Sequence, residues 1–261
     1  MPAHPKKHYG QHFLHERHYI DRIIAALAPH DGDRIVEIGP GEGALTLPLL
    51  QQTGRLTAIE LDADLIPRLE EAAASRGRLD IIRRDVLKTD FNALAGHDKL
   101  RIVGNLPYYI SSPILFHCLQ YADVISDMHF MLQKEVVARM AAAPGSKTYG
   151  RLSVMLQLAC RVTPLFDVPP DAFRPPPKVD SAVVRLVPLP SHAHPDVDTA
   201  VLDTVVKAAF GQRRKTLSNA LRQLLDADAL REAGIDPRAR AETLEPGDFV
   251  RLAQIRAARL A

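Results

Sequence analysis

The chain has 261 residues and a mass of 28.8 kDa, with 46% hydrophobic and 25% charged residues. That balance excludes a disordered, coiled-coil or collagen-like protein. Its two cysteines, Cys118 and Cys160, are too few for a disulfide framework or a four-ligand zinc site, which fits a reducing, cytoplasmic compartment. The net charge of +2 is unevenly placed: residues 23–130 hold 10 basic and 15 acidic side chains, so the flanks are basic, and five of the eleven histidines fall within the first 18 residues. The basic flanks suit either a polyanion partner or an ordinary solvated surface. The N-terminal residues carry no apolar run of signal-peptide length.

Residues 34–39 (RIVEIG) form a short β-branched run ending in glycine, and residues 44–50 follow with helical spacing, so a strand, a turn and a helix are expected. Residues 56–61 read as a second strand, 63–74 as a charged helix and 80–84 as a third strand. The 21 uncharged residues 102–122 are long enough to cross a bilayer. Asn105, Pro107, Ser111, Ser112, Pro113, His117 and Gln120 would put too many polar and helix-breaking groups in lipid. The stretch divides instead into a strand at 101–104, a loop and a Pro-started helix at 111–121. Residues 128–132 and 181–187 (SAVVRLV) complete the strands. Alternation of strands with helices predicts an α/β fold with a parallel, doubly wound sheet.

Residues 189–198, rich in Pro, His and Asp without periodicity, are the expected linker between a domain at 1–188 and a smaller one at 199–261. In the smaller domain Leu217, Ala220, Leu221, Leu224 and Leu225 recur at helical spacing, which predicts an amphipathic helix in an all-helical unit. No internal repeat is evident. His117, Cys118, Cys160, Met128, Met131 and Met155 read as core or helix-face residues, with no metal-ligand spacing among them.

Gly39, Gly41 and Gly43 form a G-x-G-x-G loop between the first strand and helix, where small residues let a backbone approach a ligand. The third glycine comes one residue too early for a pyrophosphate binder, and Glu42 adds negative charge, so a nucleoside is favoured over a dinucleotide. A tight turn with no ligand is the alternative. Glu60 lies 17 residues beyond Gly43, close to the spacing at which an acidic residue accepts from ribose hydroxyls. Asp85 is placed either to accept from an exocyclic amine such as that of adenine or to cap a helix.

Asn105-Leu106-Pro107-Tyr108 follows the fourth strand, at the sheet edge where open α/β folds bind ligands. The lone pair of an adenine N6 amine is delocalised into the ring, so the amine is a poor nucleophile until acceptors hold its protons. An Asn side-chain oxygen with a main-chain carbonyl, a stiffening proline and a tyrosine under the base would supply that by orientation and preorganised polarity, without a strong base. The competing reading is an Asn-x-Pro turn with a packed tyrosine. Arg213, Arg214 and Lys215 form a cation cluster at the start of the predicted amphipathic helix, either a phosphate contact or a solvated helix end.

Taken in order, Gln11-His12-Phe13-Leu14, Glu37 to Gly43, Glu60, Asp85, Asn105 to Tyr108 and the segment Phe173-Arg174-Pro175-Pro176-Pro177-Lys178-Val179-Asp180-Ser181 resemble the ribosomal RNA adenine dimethyltransferase family, and within it the bacterial small-subunit (16S) enzymes. The resemblance runs from about residue 8 to residue 220. It implies a Rossmann-like S-adenosylmethionine-dependent methyltransferase sheet with an antiparallel last strand and a small C-terminal all-helical, RNA-binding domain. The cofactor implied is S-adenosylmethionine, released as S-adenosylhomocysteine, with no metal. Carried over by position, Gln11, His12 and Leu14 would cover the methionine end of the cofactor, with Gly39 and Gly41 against it. Glu60 would hold the ribose and Asp85 the adenine amine. Asn105 would bridge cofactor and target amine, with Leu106 and Pro107 completing the tetrapeptide. Tyr108 would stack on the target base and Phe173 would close the other face. Position 12 departs from the family, which usually has Asn there, so His12→Asn is expected to leave activity nearly unchanged.

By the same resemblance the substrate is small-subunit rRNA within an immature small ribosomal subunit. The enzyme would dimethylate N6 of two adjacent adenines in a hairpin near the 3′ end during ribosome biogenesis. Arg213, Arg214, Lys215, Arg174, Lys178 and the basic N-terminal arm would face the RNA, on a cytoplasmic monomer with no membrane association. The alternatives are a large-subunit rRNA adenine dimethyltransferase of the macrolide-resistance type and a ribosome assembly factor acting mainly by binding. A DNA adenine methyltransferase ranks lower, because no sequence-reading domain is evident.

Overall fold

The computed structural model describes residues 11–190, 196–212 and 214–260. The path runs β1 (Phe13–Leu14), α1 (Arg17–Leu27), β2 (Arg34–Ile38), α2 (Thr46–Thr53), β3 (Arg55–Glu60), α3 (Ile66–Ala73), β4 (Arg78–Arg83) and α4 (Phe91–Ala95). It continues through β5 (Leu100–Asn105), α5 (Ser111–Leu119), β6 (Ile125–Gln133), α6 (Lys134–Met140), α7 (Arg151–Ala159), β7 (Cys160–Val168), β8 (Phe173–Arg174) and β9 (Ser181–Pro188). The last helices are α8 (Thr199–Gly211), α9 (Leu217–Ala220), α10 (Ala227–Glu232) and α11 (Pro246–Ala258).

Seven strands form one sheet in the order β4-β3-β2-β5-β6-β9-β7. The first five pair in parallel, as the alternation of strands with helices predicts, and β9 pairs antiparallel to β6, Met128 opposite Leu186 and Gln133 opposite Ser181. β2 and β5 are buried almost throughout because helices cover both faces of a sheet of this kind. The order reverses between β3-β2 and β2-β5, so the carboxyl ends of β2 and β5 flank the crevice where open α/β sheets take ligands. β7, absent from the sequence reading, lies at the sheet edge. Its Pro164 cannot donate to a ladder, and an edge strand tolerates that.

α1 buries Ile20, Ile23, Ile24 and Leu27, a stripe at helical spacing, in a cluster with Ile35, Leu56 and Ala58 of the sheet. Each such side chain contributes about 1.5–3 kcal/mol on burial. The helix ends at Ala28 in a left-handed conformation, and its last carbonyls, Leu27 and Ala28, accept from Arg101 of β5 at 2.5 and 3.2 Å. Arg101 also grips Asp127 of β6 with two bonds, 2.9 and 2.8 Å, and Asp33 at 2.7 Å. Those bonds offset the cost of burying the charges.

Residues fall into two compact units, Met1–Val137 with Thr163–Pro188, and Ala138–Val162 with Leu189–Ala261. The second unit therefore takes in residues 138–162, which the sequence reading assigned to the first. In it α7, α8 and α11 pack together, with Leu202, Val205 and Val206 of α8 and Phe249 and Leu252 of α11 buried. Buried Tyr149 donates to Leu244 O at 2.9 Å, and Arg151 pairs with Asp203 at 2.7 Å. The described part of this unit after residue 196 is all helix and turn. The long amphipathic helix expected from Leu217 is shorter than predicted: α9 ends at Ala220 and a turn follows, although Leu217, Leu221 and Leu225 are buried as expected.

Candidate active site

The carboxyl ends of β2, β3 and β5 open into a concave, largely apolar cleft, the form that small-molecule sites take. Gln11, His12, Gly39, Gly41, Glu60, Asp85 and Asn105 to Tyr108 all line it. These residues come from five separate stretches of sequence, and the sheet brings them together because each lies at or just past the carboxyl end of a parallel strand or, for Gln11 and His12, leads into β1.

On one side, the glycine loop turns at Gly41 with φ +56°, where an added Cβ would lie 3.0 Å from the Phe13 ring. Only glycine suits that backbone and that approach. The Gly41 N–H donates to Glu60 Oε2 at 3.4 Å, and the Asp62 N–H to Glu60 Oε1 at 2.8 Å. With a third backbone donor at Leu61, the carboxylate still keeps acceptor capacity for a ligand hydroxyl. Burial raises the pKa of Glu60, and the backbone donors of Asp62 and Gly41 draw it back. Gln11 Nε2 donates to Asp62 Oδ2 at 3.0 Å, fastening the start of the described chain to the end of β3. Asp85 accepts from Leu87 N at 3.0 Å and caps the turn Val86–Lys88, so the capping role is real and the residue lines the cleft as well.

Across the cleft, Gly104 lets β5 close on β2, since a Cβ there would sit 2.5 Å from Ile38 O. Asn105 follows, and its Nδ2 donates to His12 O at 2.9 Å, which leaves Oδ1 as the acceptor of the amide. Leu106 is buried and its N–H donates to Met131 O at 3.1 Å. Pro107 starts the single turn Tyr108–Ile110. The Tyr108 hydroxyl lies 2.6 Å from Ser181 Oγ, and its ring stacks with that of His12 at 5.8 Å between centroids and 24° between planes. Burial raises the pKa of the Tyr108 hydroxyl, so the ring stays neutral at physiological pH.

Two expected wall residues lie elsewhere. Phe173, read as closing the far face, is 1% exposed inside the core cluster and pairs with Leu14 where β8 meets β1. Its large apolar ring is held by packing rather than offered to the cleft. Leu14 is also buried, and lines a smaller recess of about 340 Å³ beside the glycine loop. That recess includes Glu37, whose carboxyl accepts from Thr46 Oγ1 at 2.6 Å and is pushed up to about 8 by complete burial. Asp62 and exposed Tyr109 were not singled out from sequence, and Ser181 entered only as the end of the segment that carries the resemblance, with no role given to it. Their signals, an Asp two residues past a strand, a Ser opening the last strand and a second Tyr, carry no pattern of their own. Arg174, Lys178, Arg214 and Lys215 are exposed, whereas Arg213 and the arm at residues 1–10 lie outside the described residues. Among the described residues no helix is long and apolar enough to cross a membrane.

A parallel sheet with one antiparallel strand let in beside its last parallel one, and a cleft at the switch point, give the protein the Rossmann-like methyltransferase fold. The chain belongs to the ribosomal RNA adenine dimethylase family, whose sequence profile matches residues 3–258. It is 61% identical to the ribosomal RNA small subunit methyltransferase A of Xanthomonas campestris pv. campestris (strain B100), over 96% of this chain and 95% of that protein. The protein of the same name from Xylella fastidiosa (strain 9a5c) is 62% identical, over 95% and 94%. Among solved structures, a dimethyladenosine transferase from Plasmodium falciparum superposes with a TM-score of 0.80 at 27% identity, covering 92% of this chain and 96% of its own. The 23S rRNA methyltransferase ErmE gives 0.69 at 26% identity, covering 93% and 98%.

Proposed function

We propose that this protein transfers methyl groups from S-adenosylmethionine to N6 of two adjacent adenines in a hairpin near the 3′ end of small-subunit rRNA, during ribosome biogenesis in the cytoplasm. The observation that carries the reading is one cleft with a carboxylate fit for ribose on one wall and an oriented Asn-Leu-Pro-Tyr turn on the other.

The residues present fit the cofactor: Glu60 keeps acceptor capacity at the cleft wall, the glycine loop holds its backbone clear of side chains, and the cleft between them is concave and largely apolar. Glu60 would accept from the ribose hydroxyls, Asp85 from the adenine amine, and Gln11, Gly39 and Gly41 would lie along the remainder, with Leu14 beneath at the recess. Bound there, S-adenosylmethionine supplies an activated methyl group on a sulfonium sulfur and leaves as S-adenosylhomocysteine.

Asn105 Oδ1 and the main-chain carbonyl of Leu106 accept the N6 protons of the target adenine, which frees the nitrogen lone pair for attack. Because the Asn105 amide is already fixed by the His12 carbonyl, no reorganisation is needed at the moment of reaction. Tyr108 provides the face on which a base taken out of its helix can stack. No strong base is required, since the amine sheds its proton once it carries the new methyl. Exposed Arg174, Lys178, Arg214 and Lys215, with Arg213 and the basic arm, would meet the phosphates of an immature small subunit, to which the protein binds as a monomer.

The structural likeness to ErmE favours one second reading, methylation of large-subunit rRNA. The 61–62% identity to small-subunit enzymes weighs against it. The test is transfer of labelled methyl to small subunits lacking these methyl groups, with large subunits alongside and the nucleoside product identified by mass. Dimethyladenosine on the small subunit alone is the expected result. Label on the large subunit supports the second reading, and tight small-subunit binding without label would mean an assembly factor.

A further inference from the structure

His12 touches both ends of the Asn105–Tyr108 turn. Its carbonyl accepts from Asn105 Nδ2 at 2.9 Å, and its ring stacks on the Tyr108 ring with centroids 5.8 Å apart. A third contact fixes the imidazole: Nδ1 lies 2.7 Å from Pro175 O. A carbonyl can only accept, so Nδ1 carries the proton and donates. Tyr108 in turn is held at its far end by Ser181 Oγ at 2.6 Å. The tyrosine ring is thus braced by one segment at its face and by another at its hydroxyl. The imidazole that braces it is hydrogen-bonded to the proline segment, where it has little freedom to follow a cofactor.

We propose that His12 is a positioning residue for the acceptor site, acting on the target base through Tyr108 and not as a cofactor contact. This rests on the reading that the cleft methylates an adenine stacked on Tyr108. A platform ring that is itself stacked keeps its plane when a base arrives, whereas an unbraced ring can pivot about its Cα–Cβ bond. The structure thereby gives position 12 a definite task where the family resemblance alone implied free exchange with Asn.

The test compares wild type, His12→Asn and His12→Phe. Affinity for small subunits lacking the methyl groups is measured without cofactor, affinity for S-adenosylhomocysteine by calorimetry, and kcat and KM for each substrate by methyl transfer. His12→Asn should weaken subunit affinity and raise the subunit KM by about two- to tenfold, the worth of one aromatic pair. Affinity for S-adenosylhomocysteine should stay within about twofold, and His12→Phe, which keeps a ring on Tyr108, should recover most of the loss. Weaker S-adenosylhomocysteine binding with unchanged subunit affinity overturns the inference, as does no change in either. If His12→Asn also lowers the melting temperature, His12→Phe decides alone: near wild-type subunit affinity supports the brace and an equal loss refutes it. A wild-type protein that transfers no methyl group would fail the proposed function, whereas an active wild type with indifferent variants fails this inference only.

Discussion

The two walls of the cleft are built in different ways. The wall proposed to hold the cofactor is local: Glu60 is bound by the N–H of Asp62, two residues on, and by Gly41 of the loop after the adjacent strand. The wall proposed to receive the target base is assembled from afar. Asn105 is oriented by a carbonyl 93 residues earlier, Tyr108 by a hydroxyl 73 residues later, and His12 by a carbonyl 163 residues away. Backbone that a sheet already holds forms the first wall, whereas the second exists only once three distant segments have docked. On the proposed function, binding of cofactor and orientation of the target should therefore be separable by mutation.

The sharpest separation is expected at Asn105. Asn105→Ala should lower kcat for methyl transfer by about 10²–10³-fold, the scale seen when a preorganised polar group is removed. Calorimetry with S-adenosylhomocysteine should show less than about a tenfold change in affinity. On the other wall, Glu60→Ala removes charge-assisted bonds worth about 1.5–3 kcal/mol each. It should weaken S-adenosylhomocysteine correspondingly and leave RNA binding intact, and an equal loss of RNA affinity would mean the walls are not independent. Tyr108→Ala should show the reverse pattern, costing about 1–3 kcal/mol of RNA affinity by filter binding while S-adenosylhomocysteine binds normally.

Acid should load both walls alike, because it acts on the sheet beneath them. Neither ring nitrogen of His129 in β6 makes a well-formed hydrogen bond among the described residues. Its pKa is brought down to about 4, chiefly by burial, with Asp127 opposing and Arg185 and Arg101 adding to the shift. Below its unfolded value of 6.5 the unfolded chain binds the extra proton, so stability is in full above that pH and is lost as pH falls toward 4. Glu37 acts in the opposite sense: its folded pKa of about 8 exceeds the 4.5 of the unfolded chain, so its share of stability declines as pH rises between those values. His129→Leu should flatten the fall in melting temperature between pH 6.5 and 4 and leave the neutral melting temperature equal or higher. A slope as steep as that of wild type would assign the acid sensitivity to other groups. The smallest effects belong to single cations: replacing Arg213, Arg214 and Lys215 by Ala should reduce the salt slope of RNA binding by about one for each phosphate no longer neutralised. S-adenosylhomocysteine affinity should not move.

The same contrast explains what the sequence made legible. The glycine loop, Glu60 and the Asn-Leu-Pro-Tyr turn each sit directly after an apolar strand, and a strand end is visible in composition. β7 escaped notice because Pro164 argues against a strand unless the edge position is known. Residues 138–162 could not be assigned to the second unit, since an apolar helix face does not name what it packs on. Phe173 was read as a wall because the resemblance puts it beside the target, yet its pairing with Leu14 buries it. The tasks of His12 and Ser181 depend on contacts that no local pattern encodes.

The bond from Asn105 to His12 is made to a peptide oxygen, which every amino acid carries. Substitution at position 12 cannot delete that acceptor. The orientation of the Asn105 amide is thus insulated from side-chain substitution at this site, and on the proposed roles a lineage could trade one side chain for another there, adjusting its grip on RNA while the chemistry is inherited intact.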